Sequence, residues 1–417
     1  MTFQKNCLVN VKFAGTNLHG IYLSDVPGGY VQIKLSSGYN ITVPESACEI
    51  DNSGSTGLTH NSDQENKSIQ SDSKSNLPIL SIISTGGTIS SSIDYKTGAV
   101  SSKFTAEDII RSIPELKGLA QFRTKQPFNV LSENITPQMW QQLAQTIHDE
   151  IDNGATGIIV THGTDTMIYS AAAVSFMLDT HVPIIFVGAQ RSADRPSSDN
   201  AMNVICSARA AISNLGEVVI CMHSSLDDTQ CSLHRATRTR KNHTSRRDAF
   251  QSIGIDPVGI VKYPDGRVSL TDNATKRRKS SKLHIHKKLE PHCGLIQYYP
   301  GMDPSIFNSY SGYAGLVISG TGLGHVATNC IPNISNLIKK GTFVVMTSQC
   351  LAGSVCDRVY STGRELLNIG VIEGGNMLPE IALVKLMWVL GNYPKYSDRV
   401  RMMQTNLKGE LISGDMV

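Results

Sequence analysis

From Pro78 onward, apolar runs of strand length alternate with stretches of helical period, a texture satisfied by a parallel sheet wrapped by helices. Strands are expected at 79–83, 128–131, 157–161, 183–187, 218–222, 315–319 and 342–347. Helices are expected over 167–179 and 198–213. Thr136-Pro137 supplies an N-cap and a first-turn proline for a helix to about Ile151, and Thr105-Ala-Glu-Asp108 reads as a capping box. Residues 376–379 open a final helix, closed by Gly391.

The first 50 residues read differently. Val9, Val11 and Phe13, then Ile21 and Leu23, then Ile41 and Val43 alternate with polar positions between turns such as Pro27-Gly28-Gly29, the pattern of a small antiparallel β-barrel-like domain. Residues 51–77 carry Ser, Asn, Asp and Lys with few large apolar side chains, too little burial to offset the entropy of ordering them. The expected organisation is a β-domain over 1–50, a flexible linker over 51–77, an α/β domain over 78–270, a basic linker over 271–289 and a second α/β domain over 290–417.

Several function classes lose support at once. A net charge of +3 over 417 residues demands no nucleic acid. Nine cysteines without a C-x-x-C pair suggest free thiols in a reducing compartment, the cytoplasm by default. The amino terminus lacks a secretory pattern, and the most apolar stretch, 381–390, is short and contains Lys385, so no membrane span is expected. No G-x-x-x-x-G-K-[ST] occurs, and Gly320-Thr-Gly-Leu-Gly324 lacks the rest of a dinucleotide fingerprint, so nucleotide chemistry is not expected of this chain. His284, His286 and His292 have no carboxylate or cysteine at ligand spacing, and no metal is expected. The basic run 276–288 reads as a charged exposed linker in preference to a phosphate-binding strip.

Chemistry gathers at three strand ends. The run 79–83 breaks into Thr85-Gly-Gly-Thr88, 128–131 leads to Ser132-Glu133, and 157–161 leads to His162-Gly-Thr164-Asp165-Thr166. In an open parallel sheet such ends share one rim, where ligands collect. A threonine hydroxyl needs a base to become a nucleophile. In the run from Arg235 to Arg247 the guanidinium groups cannot serve, which leaves Lys241 or His243. Asp165 suits a substrate ammonium group better than it suits attack.

Thr-Gly-Gly-Thr-Ile (85–89) followed by Thr-His-Gly-Thr-Asp-Thr (161–166) resembles the two signature blocks of the asparaginase/glutaminase amidohydrolases, over residues 78 to 417. With Ser-Ser-Ile-Asp-Tyr-Lys-Thr-Gly-Ala-Val (91–100), Leu-Ser-Glu-Asn (131–134), Leu-Ile-Gln-Tyr-Tyr-Pro-Gly-Met (295–302) and the added β-domain, the chain is most similar to the D subunits of archaeal glutamyl-tRNA(Gln) amidotransferases. That resemblance implies a two-domain, doubly wound asparaginase-like fold and a glutaminase that feeds ammonia to a partner E subunit. The partner would use ATP and Mg to convert Glu-tRNA(Gln) to Gln-tRNA(Gln), while this chain would bind no cofactor and form a homodimer within a heterotetramer.

The family's four catalytic positions fall on Thr88, Thr164, Asp165 and Lys241, with Thr88 taken as nucleophile and Thr164 as its rival. Tyr95 matches the closing-loop tyrosine, and Ser132 and Glu133 match the segment that holds the amino-acid part of the substrate. A free-standing cytoplasmic L-asparaginase is the alternative.

Overall fold

The structure, a computed structural model, describes residues 3, 7–13, 16–35, 40–51, 77–86, 91–93, 100–102, 106–191, 197–278 and 283–412. Thr88, Tyr95, Thr105 and nearly all of the 51–77 linker lie outside them. The chain forms two compact units, Met1–Lys74 and Ser75–Val417.

In the first unit, β1 (Leu8–Phe13), β2 (Thr16–Val26), β3 (Tyr30–Leu35), β4 (Asn40–Pro44) and β5 (Cys48–Ile50) make one antiparallel sheet in the order β4-β3-β2-β1-β5. Alternation puts Val9, Val11, Val31, Ile33 and Val43 into a small core with Phe3, Tyr22 and Cys48. A register shift between Tyr22 and Ser24 marks an irregularity within the long β2.

The second unit is built on two sheets. Its first strands are β6 (Ile79–Ser84), a small β7 (Ser91–Ile93) and β8 (Val100–Ser102) ribbon, and, after α1 (Ala106–Ser112), β9 (Gln121–Lys125). There follow α2 (Pro137–Asp152), β10 (Gly157–Thr161), α3 (Met167–Met177), β11 (Ile184–Val187), α4 (Asn200–Ala211) and β12 (Val218–His223). Then come β13 (Gln230–Arg235), the β14 (Thr239–Lys241) and β15 (Phe250–Ser252) hairpin, β16 (Gly259–Lys262) and β17 (Val268–Leu270). The sheet order is β17-β16-β13-β12-β11-β10-β6-β9. Strands β9 to β12 pair in parallel, whereas β13, β16 and β17 extend the edge antiparallel.

The expected strand at 128–131 is not one. The strand lies earlier, at β9, where Phe122 and Thr124 are half-buried and their neighbours exposed, as an edge position requires. After Pro127 residues 128–131 join no strand, and Val130 N–H donates to Thr85 O at 3.1 Å.

The second sheet, β18 (Cys293–Gln297), β19 (Gly315–Gly320), β20 (Phe343–Ser348) and β21 (Ile372–Glu373), is wholly parallel. Helices α5 (Ile331–Lys339), α6 (Ser361–Asn368), α7 (Pro379–Asn392) and α8 (Tyr396–Gln404) complete the chain. The helix at 379 is therefore not the last, because Pro394 ends it and a charged helix restarts behind it.

Each buried strand serves two cores. Ile158 and Val160 face α2 and α3, while Ile159, like Leu80 and Ile82, faces the α4 side. Helix α3 is apolar on nearly every face because it packs against both the first sheet and α7, and α7 lies on the second sheet. The basic stretch after Thr275 is pinned at bridges Leu215↔Lys276 and Leu178↔Ile285, with Leu283 buried.

Candidate active site

The rim at the carboxyl ends of β6, β10 and β11 is assembled by close backbone approach. Thr85 donates both N–H and Oγ1–H to Thr161 O, at 3.0 and 2.9 Å, so the β6 and β10 ends are laced together. Gly86 has φ +105°, and a Cβ there would stand 2.4 Å from Val130 O; only glycine fits this turn.

Beyond β10, Thr164 and Asp165 precede the first turn of α3. Thr166 Oγ1 donates to Ser132 O at 2.7 Å, and a Cβ on Gly163 would stand 2.7 Å from Ser132 Cβ, so the 131–134 turn lies directly against the 163–166 turn. Ser132 is buried and Glu133 is exposed.

A buried chain of donors fixes this corner. His162 Nδ1 faces Gly163 O at 2.6 Å, an acceptor only, so Nδ1 carries the hydrogen and Nε2 accepts from Ser170 Oγ at 2.8 Å. Ser170 Oγ in turn accepts from Trp140 Nε1 at 2.9 Å. Burial pushes the His162 pKa down to about 4, which keeps the ring neutral and the chain of bonds in one sense.

Lys241 arrives from the antiparallel edge. Its Nζ donates to Thr164 Oγ1 at 3.0 Å and to Asp165 Oδ1 at 2.7 Å. The lysine side chain is only 10% exposed, whereas that of Asp165 is 71% exposed and opens to solvent. The hairpin is gripped on both sides of the lysine: Arg240 Nε lies 3.3 Å from buried Glu380, and Asn242 Nδ2 donates to Gln251 Oε1 at 2.9 Å. Arg238 roots it, with its buried guanidinium donating to Ile253 O at 2.8 Å and to Asn376 O at 2.6 Å. The other base the sequence offers, His243, is spent elsewhere, accepting Ser245 and Arg246 N–H groups at an exposed turn.

Thr164, Asp165 and Lys241 are thus brought together, and Ser132 borders them; Thr88 and Tyr95 lie outside the described residues. The His162–Ser170–Trp140 chain and the buried Arg238 have no expectation behind them, although both sit within or beside stretches whose residue types drew notice. Among the described residues no group of His, Cys, Asp and Glu is arranged to hold a metal ion, and no helix is long and apolar enough to cross a membrane.

Comparison with known proteins follows the same outline. The family profile described as "Asparaginase, N-terminal" matches residues 79–276, and "Glutaminase/Asparaginase C-terminal domain" matches 292–403. The chain is 50% identical to the D subunit of the glutamyl-tRNA(Gln) amidotransferase of Methanosarcina mazei, over 99% of both chains. It is 45% identical to the like-named protein from Halobacterium salinarum, over 99% of this chain and 98% of the relative. Among solved structures, the thermostable L-asparaginase from Thermococcus kodakarensis superposes with a TM-score of 0.72 at 28% identity, covering 80% of this chain and 99% of its own. L-asparaginase I from Vibrio cholerae gives 0.70 at 27%, covering 81% and 99%.

Proposed function

This chain belongs to the asparaginase/glutaminase family and, within it, to the D subunits of glutamyl-tRNA(Gln) amidotransferases, and from that premise we infer that it is the glutaminase of a tRNA-dependent amidotransferase. It hydrolyses glutamine to glutamate and passes the ammonia to a second, E-type subunit, which uses ATP and Mg to convert Glu-tRNA(Gln) to Gln-tRNA(Gln). The assembly is a cytoplasmic heterotetramer around a homodimer of this chain, and the chain itself carries no cofactor.

The observation that carries the chemistry is Lys241 Nζ at 3.0 Å from Thr164 Oγ1 and 2.7 Å from Asp165 Oδ1. Thr88 Oγ attacks the carboxamide carbon of glutamine, and its proton passes through Thr164 to Lys241 in its neutral form. Backbone N–H groups of the Gly-rich turns hold the tetrahedral oxyanion. Lys241 returns the proton to the departing ammonia, which leaves a glutamyl ester on Thr88. Water then repeats the attack and releases glutamate.

Asp165, exposed beside the lysine, holds the substrate ammonium group. Ser132 and Glu133, on the turn packed against 163–166, hold the α-amino acid part, and Tyr95 closes over it. The test is ammonia release from glutamine by the chain co-purified with its partner, with and without Glu-tRNA(Gln). Glutamine turnover that rises with the charged tRNA is expected, and vigorous partner-independent turnover of asparagine overturns the reading in favour of a free asparaginase.

A further inference from the structure

Strand β12 is apolar for five residues and then ends in His223, whose side chain is fully buried. A leucine or methionine would fill the same space, and a buried polar ring is costly unless its partners are complete. Its partners are complete, and they run in two directions.

In one direction lies Asn203 on α4, itself fully buried. Its Nδ2 donates to Gly188 O and to Asp199 Oδ2, both at 3.0 Å, which commits its Oδ1 as the acceptor for His223 Nδ1–H at 2.6 Å. Gly188 is the wall behind Thr164: a Cβ there would stand 2.8 Å from Thr164 Cγ2 and from His162 O. Asp199 accepts the Gln190 and Arg191 backbone N–H groups, so the start of the turn after β11 is held.

In the other direction His223 Nε2 meets Asp228 Oδ1 at 3.1 Å, and the same oxygen accepts Arg247 Nη1 at 2.6 Å. Arg247 also donates to Leu226 O. It belongs to the turn that joins β14 to β15, where Asn242 N–H donates to Ala249 O at 2.7 Å and Lys241 pairs with Phe250. The hydrogen bond from His223 and the Arg247 guanidinium together hold the Asp228 carboxyl below the usual carboxylate range, so it stays charged across the working range of pH.

We propose that Asn203, His223, Asp228 and Arg247 form a positioning relay that joins the wall behind Thr164 to the hairpin bearing Lys241, and so sets the distance at which the two meet. This deepens the glutaminase reading and rests on it. None of the four touches the substrate amide. They act through Gly188 on one side and through the 242–249 turn on the other, and a sub-ångström change at either end alters proton transfer between Thr164 and Lys241.

The test uses the chain in complex with its partner, with glutamine and Glu-tRNA(Gln), and measures kcat, KM and the pH profile of kcat for the wild type, Asp228→Asn and Arg247→Ala. Both variants are expected to lose about tenfold in kcat with KM within twofold, and to displace the ascending limb of the profile, because the proton acceptor has moved and the substrate contacts have not. Added guanidinium is expected to recover part of the Arg247→Ala loss.

An unchanged kcat and profile overturn the relay. A kcat that falls only with the folded fraction, leaving the limb at its wild-type position, also overturns it, because the role is then merely structural. Arg247→Ala lies at a surface turn and keeps the test decisive if Asp228→Asn fails to fold. An inactive wild type overturns the glutaminase reading itself, an outcome distinct from an active wild type with indifferent variants.

Discussion

Lys241 meets Thr164 at 3.0 Å although 77 positions separate them, because β13 carries the chain back along the sheet and the β14 hairpin then returns beside α3. The lysine is the only base seen within reach of that hydroxyl among the described residues. Lys241→Met is expected to lower glutamine hydrolysis by about 10²- to 10⁴-fold, the usual worth of a positioned general base. Circular dichroism and melting should be near wild type, since Asp165 is largely exposed and tolerates the loss of its partner. A stopped assay of ammonia release checks it, and retention of more than a tenth of the activity would remove Lys241 from the mechanism.

Gly188 has no room for a methyl group: Met167 Cε, His162 O and Thr164 Cγ2 all lie within 2.8 Å of where one would stand. Gly188→Ala must therefore push Thr164 off its line to Lys241. A loss on the order of 10²-fold in kcat is expected, as a displacement near 1 Å costs in oriented sites. Steady-state kinetics on the folded variant measures it.

Asp357 is a pH-sensitive weak point in the second sheet's rim. Its carboxyl is fully buried, neither oxygen has a hydrogen-bond partner among the described residues, and burial together with the nearby Glu373 pushes its pKa up from 3.8 to about 7, with Arg358 opposing. The folded chain thus holds a proton that the unfolded chain releases near pH 4, so stability falls as pH rises from about 4 to about 7 and is level above that. The loss is on the order of 2 kcal/mol once relaxation and water access are allowed for. Asp357→Asn should flatten this slope in thermal melts between pH 5 and 8 and be the more stable protein at pH 8.

Lys385 and Glu410 form an ion pair at 2.5 Å with both side chains fully buried. Lys385 also donates to Met403 O and Thr405 O, and Glu410 accepts the Leu407 and Lys408 N–H groups, so the tail beyond α8 is tied to α7. Burial pulls the lysine's pKa down while the glutamate beside it resists. Lys385→Met alone should cost about 3–5 kcal/mol by stranding a carboxylate. The double variant Lys385→Met with Glu410→Gln should recover part of this in urea melts.

Much of this architecture is legible in the sequence, because β-branched runs such as 79–83 and 157–161 end in glycine and hydroxyl residues and nothing but a buried parallel strand suits them. The N-cap at Thr136 is equally plain, and its side chain accepts Met139 N–H at 3.4 Å. The misreading at 128–131 has a simple cause: Phe-Asn-Val-Leu is apolar enough for a strand, but its hydrogen-bonding edge is used by the turn at Thr85, while the polar Gln121–Lys125 can be a strand because it sits at the edge.

Thr164, Asp165 and Lys241 are legible as residue types. Their meeting depends on the return of β13, which no local pattern announces. The relay through Asn203 and His223 is invisible in the sequence, since a lone histidine at the end of an apolar strand looks like any core residue until its two neighbours are known.

The hairpin that carries Lys241 stands on Arg238, which reaches Asn376 O and Glu410 O, and Thr237 Oγ1 donates to Lys408 O at 2.8 Å. A ribosome that has just released Lys241 from its exit tunnel has therefore made every chemical group of the lysine corner and still has no seat for it. The seat comes more than a hundred codons later, so a clipped polypeptide lacking that stretch is expected to be inert toward glutamine.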